Sequence, residues 1–253
     1  MTDLTLEDFF SVENPTVDPL WTDLAEMIKA KYNTTPRNLQ KALGPSQVGH
    51  PCMRKLAYGM MQAPRSNPPY DPLPSVVGTA MHTWLEDAAR MDNERLERER
   101  WLIETRVEVT PGLTGSADLF DTDSGTVIDW KNLGTTTFPV KVKNPGTTYK
   151  AQIHMYGRGF KRMGYDVRRV CIAILPRAGT LRKMHLFLED YDDDFVDSVL
   201  ARRDAVIAML NDFDVETDPA RYKWFPTSPD TCIFCEWWRP EPKTPYECDG
   251  RAT

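Results

Sequence analysis

The spacing of apolar and polar residues along the chain predicts an alternation of helices and strands. Apolar residues recur at helical spacing in five segments: 18–32, 51–62, 75–93, 147–163 and 191–211. Five further segments have strand character: 101–109, 113–121, 126–132, 167–176 and 181–188. The turn residues DTDSG join the second and third of these strands, which favours a hairpin. This order predicts an α/β fold in which helices flank a mixed central sheet.

Two changes in composition indicate how the chain is divided. The segment PRSNPPYDPLP, at 64–74, contains too many prolines for a helix or a strand. From residue 216 onward the chain is rich in proline and tryptophan and has little periodicity. We therefore predict an N-terminal helical extension over 1–50, a core over 51–215 and a cysteine-bearing tail over 216–253.

The overall composition is that of a globular protein. The 253 residues are 41% hydrophobic and 27% charged, which excludes a disordered chain and a small disulfide scaffold. No apolar run approaches the roughly 20 residues that a membrane-spanning helix needs. The acidic N-terminus, MTDLTLEDFF, is unlike a signal peptide. These features predict a cytoplasmic protein without a membrane partner.

Positive charge is concentrated in one segment of an acidic chain. The net charge of −6 counts against a nucleic-acid partner, but residues 141–169 contain eight basic side chains and one acid, Asp166. The eight are Lys141, Lys143, Lys150, Arg158, Lys161, Arg162, Arg168 and Arg169. Such a segment indicates either an anion-binding surface or an ordinary solvated helix face.

Two aspartates and a lysine fall on the arms of the predicted hairpin. Asp118 lies on the first arm, and Asp129 and Lys131 lie on the second. Side chains two residues apart in a strand share a face, so Asp129 and Lys131 point the same way and Trp130 points the other way. Carboxylates on an apolar strand are costly unless something compensates, and Mg²⁺ bound between them would do so. The alternative is a surface Asp–Lys pair beside a turn aspartate.

Polar residues at helical spacing lie on both sides of this hairpin in the sequence. His82 and Glu86 share one face of the helix predicted over 75–93. Gln152 and Tyr156 share a face of the helix predicted over 147–163, within the basic segment, where they could bond DNA phosphates or bases. Each pair is also compatible with an ordinary structural role.

Four of the five cysteines are candidate ligands. An odd number of cysteines without a secretion signal argues against a disulfide framework. Cys171 lies in the apolar run RRVCIAIL and is expected to be a buried hydrophobic residue. The remaining four can bind an iron–sulfur cluster or zinc, or can be unrelated thiols: Cys52, Cys232, Cys235 and Cys248.

Taken in order, these residues resemble a known family. One cysteine, then His82, Asp118, Asp129-x-Lys131 and Gln152-x-x-x-Tyr156, then three cysteines, is similar to the RecB-like nucleases of the PD-(D/E)XK superfamily. More narrowly, the chain resembles the CRISPR-associated "Cas-four" exonucleases and their bacteriophage relatives. The resemblance covers about residues 50–250. It departs from the usual pattern where Ala117 precedes Asp118 in place of the family's proline.

The resemblance implies a role for each motif. His82, Asp118 and Asp129, with the carbonyl of Trp130, would bind Mg²⁺ or Mn²⁺, and Lys131 would be the catalytic lysine. Gln152 and Tyr156 would form the motif that helps to place the DNA strand. A [4Fe–4S] cluster would be held by the four cysteines, closing the tail onto the core: Cys52, Cys232, Cys235 and Cys248.

These expectations lead to a functional hypothesis with two alternatives. We expect a metal-dependent DNA exonuclease that acts on single-stranded DNA or DNA ends, with a basic groove formed partly by Lys141, Lys143, Lys150, Arg158 and Arg162. One alternative is a non-catalytic DNA-binding or adaptor subunit with a structural cluster, and the other is a zinc-stabilised structural protein. The sequence contains no G-x-x-x-x-G-K-[ST], so a helicase, recombination or CRISPR partner would be a separate protein.

Overall fold

The computed structural model describes residues 19–34, 43–67, 71–228, 232 and 235–250. Parts of the predicted extension over 1–50 and of the tail over 216–253 therefore lie outside the described residues. The chain divides into two compact units, Met1–Gln40 and Lys41–Thr253. The first contains helix α1, Pro19–Asn33, which bears no buried residue. The second unit contains the sheet and all of the candidate site residues.

The second unit contains six α-helices and five strands within the described residues. The helices are α2 (Pro45–Val48), α3 (Met53–Met60), α4 (Leu73–Leu96), α5 (Thr137–Lys143), α6 (Thr147–Arg162) and α7 (Asp193–Phe213). The strands are β1 (Trp101–Thr110), β2 (Leu113–Asp121), β3 (Thr126–Leu133), β4 (Arg169–Pro176) and β5 (His185–Asp190). Short 3₁₀ helices cover Leu181–Lys183 and Pro219–Trp224. None of the helices in the described ranges has both the length and the apolar character that a membrane crossing needs.

One mixed five-stranded sheet organises the unit. The strands lie in the order β1-β2-β3-β4-β5, with the β3–β4 pair parallel and the other three pairs antiparallel. Strand β4 lies between two partners and is covered on both faces, so Val170 to Leu175 are all buried. The predicted α/β class with a mixed central sheet flanked by helices is confirmed.

Helix α6 packs closely on the sheet and carries the residues of the predicted Gln–Tyr motif. Ile153 and Phe160 are fully buried against Phe120 of β2 and Val107 of β1. The close approach depends on Gly159, because a Cβ atom there would lie only 2.5 Å from Cβ of Val107. This packing fixes the position of α6 relative to the ends of β2 and β3.

A second apolar core joins α3 to the C-terminal part of the chain. Tyr58 of α3 lies between the rings of Tyr222 and Trp237, with centroid distances of 4.5 and 5.3 Å. Asn67 donates hydrogen bonds from Nδ2 to the carbonyls of Cys235 and Trp238. The tail therefore packs on the helix that follows Cys52, far from it in sequence.

The structure differs from the predicted elements at several boundaries. The strand predicted over 181–188 begins only at His185, because Leu181–Lys183 turn as a 3₁₀ helix after Gly179 with its φ of +138°. Helix α4 begins at Leu73, inside the proline-rich segment, since proline is tolerated in the first turn of a helix. The short helices α2 and α5 were not predicted, because four and seven residues are too few to show a helical period.

Candidate functional site

Asp118 and Asp129 lie where strands β2 and β3 separate. The last paired residues of the β2–β3 ladder are Leu119 and Ile128, and the two aspartates are the next residues on their strands. Beyond this point the backbone N–H of Trp130 donates to Oδ2 of Asp118 at 2.7 Å. The hairpin predicted from the sequence therefore brings the two acidic residues to one place, as expected.

His82 of α4 closes one side of this site. Its Nε2 atom donates a hydrogen bond to the carbonyl oxygen of Trp130 at 3.0 Å, since a carbonyl can only accept. Its Nδ1 atom lies 3.6 Å from Oδ1 of Asp118. The predicted role of the Trp130 carbonyl as a metal ligand stays a prediction, because here that oxygen accepts from His82.

Glu104 of β1 is a further acidic residue at this site. In the described part of the chain, the set of three potential ligand groups whose atoms lie within 4.8 Å of one another is His82, Glu104 and Asp118. Glu104 has a φ of +44°, in the left-handed region that non-glycine residues adopt at a cost of about 1–3 kcal/mol. This unusual backbone directs the Glu104 carboxylate towards Asp118, and Asp129 lies outside the set.

The ammonium group of Lys131 contacts three side chains: Asp129, Gln152 and Tyr149. Its Nζ atom lies 2.5 Å from Oδ2 of Asp129 and donates to Oε1 of Gln152 at 3.4 Å. The ring of Tyr149 lies under the ammonium group, with the centroid 4.8 Å from Nζ. Gln152 in turn donates from Nε2 to the hydroxyl of Tyr156 at 3.1 Å. The residues expected at 129, 131, 152 and 156 are thus connected in one network.

The electrostatics of the site show an excess of buried negative charge. Burial, and then the nearby Asp129 carboxylate, raise the pKa of Asp118 to about 8. Asp129 is only 1% exposed, and its Oδ1 atom has no hydrogen-bond partner among the described residues. Burial opposes the charge of Lys131, but Asp129 and Asp118 together raise its pKa. One lysine faces two carboxylates, so a bound cation would supply the missing positive charge.

The donor set fits a hard divalent cation. Carboxylate oxygens and one imidazole nitrogen are ligands that Mg²⁺ and Mn²⁺ accept. The unpartnered Oδ1 atom of Asp129 and the high pKa of Asp118 are both costs that a metal ion would remove. His82, Glu104 and Asp118 already lie together and would hold the ion, and Asp129, the charged neighbour of Asp118, would join them if it moved towards the ion.

The predicted basic groove is largely wrong. Most basic side chains of the 141–169 segment form ion pairs within the protein, and their charges are compensated by acids of β1, β5 and α7 and by Asp166 in the loop before β4. The pairs are Lys150–Glu189, Arg158–Asp193, Arg158–Asp197, Lys161–Asp193, Arg162–Glu108 and Arg168–Asp166. Because α6 packs beside the acidic first turn of α7, the sequence segment with excess positive charge does not form a surface with excess positive charge.

Lys141 is the member of that segment that lies near Lys131. Its Nζ atom donates to the carbonyl of Pro145 at 3.0 Å and lies 5.1 Å from the centroid of Tyr149, the same ring that Lys131 contacts. Burial lowers the pKa of Lys141. Lys131 and Lys141 therefore both contact the ring of Tyr149.

The four candidate ligand cysteines line one small cavity. Cys52, Cys232, Cys235 and Cys248 surround it, and none of the four forms a disulfide with another described cysteine. Two sulfur atoms accept backbone hydrogen bonds, from Lys55 N to Cys52 Sγ at 3.4 Å and from Gly250 N to Cys248 Sγ at 3.3 Å. The sequence separation of up to 196 residues between these cysteines is thus bridged by the fold, as predicted.

The cavity has features of a built metal site. Gly250 has a φ of +75°, and a Cβ atom there would lie 2.6 Å from Sγ of Cys232, so only glycine fits. A tetrahedral zinc ion with Zn–S bonds of about 2.3 Å requires sulfurs about 3.8 Å apart. No three cysteine sulfurs of the described residues lie within 4.8 Å of one another. The four cysteines on this cavity are compatible with either zinc or an iron–sulfur cluster.

No family model and no curated protein matches the chain. The chain is similar in structure to a phage-related exonuclease from Haemophilus somnus 129PT, with 14% identity and a TM-score of 0.46 over 66% of this chain and 82% of that one. It is also similar to the alkaline exonuclease LHK-Exo from Laribacter hongkongensis, with 15% identity and a TM-score of 0.45 over 76% and 95%. A complex of LHK-Exo with dAMP gives 16% identity and 0.44 over 70% and 91%. TM-scores below 0.5 do not establish a shared fold, so the conclusions below rest on the geometry of the site.

Two residues of the site were not predicted from the sequence. Tyr149 had a sequence signal, because it lies three residues before Gln152 and seven before Tyr156 and so shares their helical face. Glu104 has a weak signal: Leu102 and Val107 are five residues apart yet pack in the same core, so the strand alternation changes phase between them. A phase change beside an acidic residue indicates irregular backbone, which is what the structure shows at Glu104.

Proposed function

We propose that this protein is a metal-dependent nuclease that hydrolyses phosphodiester bonds in DNA. The observation that carries the proposal is the buried pair Asp118 and Asp129 with Lys131 beside them, an excess of negative charge that fits a divalent cation. The sequence resemblance adds the substrate class and the exonuclease mode, on single-stranded DNA or DNA ends. Because the sequence lacks a G-x-x-x-x-G-K-[ST] motif, any helicase, recombination or CRISPR partner would be a separate protein.

The residues of the site would divide the work of hydrolysis. When bound, Mg²⁺ or Mn²⁺ supplies an acidified water and a clamp on a phosphate oxygen. Lys131, held by Asp129 and Gln152, is placed to orient the attacking water and to offset negative charge that develops on the phosphorus centre. The ring of Tyr149 contacts both Lys131 and Lys141 and so helps to hold Lys131 in place.

Gln152 and Tyr156 act in this proposal through Lys131. Both side chains are buried, and Gln152 accepts from Lys131 while it donates to Tyr156. A buried amide that is bonded on both sides holds its partner in one orientation. We therefore assign these two residues to positioning the lysine, which in turn places the scissile phosphate.

The cysteine cavity would hold a [4Fe–4S] cluster with a structural role. The support is the set of four cysteines on one cavity, without a disulfide among them, and the N–H···S bonds to two of their sulfurs. Hydrogen bonds to sulfur are typical of ligated thiolates. A cluster there would link α3 to the tail and so stabilise the second apolar core.

A cleavage assay tests the catalytic proposal. End-labelled single- and double-stranded DNA is incubated with the protein with and without Mn²⁺ or Mg²⁺. Lys131→Ala should reduce cleavage to background, while Lys161→Ala, a control lysine paired with Asp193 away from the site, should cleave like the parent protein. Circular dichroism and thermal unfolding confirm that both variants are folded.

The outcomes separate the alternatives. Cleavage by Lys131→Ala at the parent rate would overturn the assignment of this residue. DNA binding by the parent protein without any metal-dependent cleavage would instead favour a binding or adaptor subunit. Iron and acid-labile sulfide in the purified protein support the cluster, and one equivalent of zinc without either would remove it.

A further inference from the structure

Arg54 is a buried cation at the cysteine cavity. It is the second residue of α3, two positions after Cys52, and it is only 4% exposed. A guanidinium group is always charged in proteins, and burying it is costly unless it is compensated. The partners of Arg54 therefore indicate what its charge is for.

All of the side-chain partners of Arg54 come from the C-terminal part of the chain. Nε donates to the carbonyl of Phe225 at 3.2 Å, and Nη2 donates to the carbonyl of Lys223 at 2.5 Å. Nη1 donates to Sγ of Cys248 at 3.3 Å. The backbone N–H of Arg54 also donates, to the carbonyl of Pro226 at 3.1 Å. Arg54 thus joins α3 to the first part of the tail and to a candidate ligand cysteine.

None of these partners is a carboxylate. In the part of the chain that the structure describes, no aspartate or glutamate forms an ion pair with Arg54. Two carbonyls compensate a buried charge only through their dipoles. The remaining partner is Cys248, whose sulfur carries negative charge when it is a ligand. Lys55, the neighbouring cation, is already paired with Glu236 at 3.1 Å.

We propose that Arg54 positions Cys248 and tunes the redox potential of the centre that the four cysteines hold. This inference rests on the proposed iron–sulfur cluster. Reduction adds negative charge to such a cluster, and a hydrogen bond and a positive charge at a ligand sulfur stabilise the reduced form. Arg54 therefore raises the reduction potential and keeps Cys248 facing the cavity.

A redox titration of the cluster-loaded protein tests the tuning role. The parent protein is purified without oxygen, and its iron and sulfide are measured before its midpoint potential. Arg54→Gln, which removes the charge, should shift the midpoint to more negative values, and Arg54→Lys, which keeps the charge, should recover most of the shift. A purely structural role predicts a lower unfolding temperature for Arg54→Gln with the midpoint unchanged, and that result would overturn the proposal.

A measurement on the parent protein needs no substitution and covers the case in which Arg54→Gln fails to retain its cluster. Protein labelled with ¹⁵N-arginine is reduced and studied by pulsed electron paramagnetic resonance. The Nη1–H···Sγ bond predicts a weak ¹⁵N coupling to the cluster, which Arg54→Lys should lose. A cluster without arginine coupling overturns the Arg54 inference alone, whereas a protein without iron and sulfide overturns the proposed cluster and this inference together.

Discussion

Replacement of Asp118 by asparagine should stabilise the protein in the absence of divalent cations. The Asp118 carboxyl is buried next to Asp129, and this raises its pKa to about 8. An asparagine has nearly the same shape, cannot ionise and can still accept the hydrogen bond from Trp130 N–H through its amide oxygen. Loss of the buried charge should therefore outweigh the small change in packing.

The size and the pH dependence of this effect follow from the pKa. The folded-state pKa exceeds the ordinary value of 3.8, so the folded protein binds more protons than the unfolded chain between those limits. The stability of the parent protein therefore falls as the pH rises from about 4 to about 8, by at most about 1.4 kcal/mol per unit. Asparagine removes the buried charge but adds N–H donors that have no acceptor in the site, and this offsets part of the stabilisation. We therefore expect Asp118→Asn to be more stable than the parent by about 1–3 kcal/mol at pH 8.

Urea unfolding at pH 5, 6, 7 and 8, without divalent cations, measures the difference. Asp121→Asn on the same strand is a control of opposite sign: burial opposes its charge, but hydrogen bonds from Arg100 and Ser124 lower the pKa of Asp121. Its replacement should destabilise the protein. The reasoning would be refuted if Asp118→Asn were less stable than the parent at pH 8, or if the difference did not grow with pH.

Three further predictions test other parts of the account. Glu104→Gln should weaken Mn²⁺ binding at least about tenfold by calorimetry, and unchanged affinity would exclude Glu104 as a ligand. Lys141→Gln should weaken binding of single-stranded DNA and lower its salt dependence in fluorescence anisotropy, whereas Arg158→Gln, whose charge is already paired, should not; equal effects would contradict the corrected charge distribution. His154→Phe should lose about 1–3 kcal/mol in urea unfolding, because buried His154 bonds Glu189 and the backbone of Asp192; no loss would refute this.

Local spacing predicted the parts of the site that depend on one element. Asp129 and Lys131 share a strand face, and Gln152 and Tyr156 are bonded on one helical turn. Both relations follow from the periods of two and 3.6 residues, which tertiary packing does not change. The amphipathic face of α6 was predicted for the same reason, whereas β4, buried on both faces, was recognised by its continuous apolar run.

Features that depend on tertiary contacts could not be predicted in this way. The charges of Arg158 and Lys161 are compensated by Asp193, more than 30 residues away, so counting charges within one segment overestimated the positive charge of this surface. Glu104 reaches the site only through a left-handed backbone in a strand, which propensity alone would not indicate. The place of Arg54 beside Cys248 likewise depends on a contact between residues 194 positions apart.

The most direct test of the central claim is to locate manganese in a crystal of the protein soaked in Mn²⁺. Anomalous scattering identifies the ion without reference to activity. The account predicts one strong peak whose ligands include both Asp118 and Asp129, with His82 or Glu104 completing the set. A crystal in which Mn²⁺ binds elsewhere, or contacts neither aspartate, would contradict it.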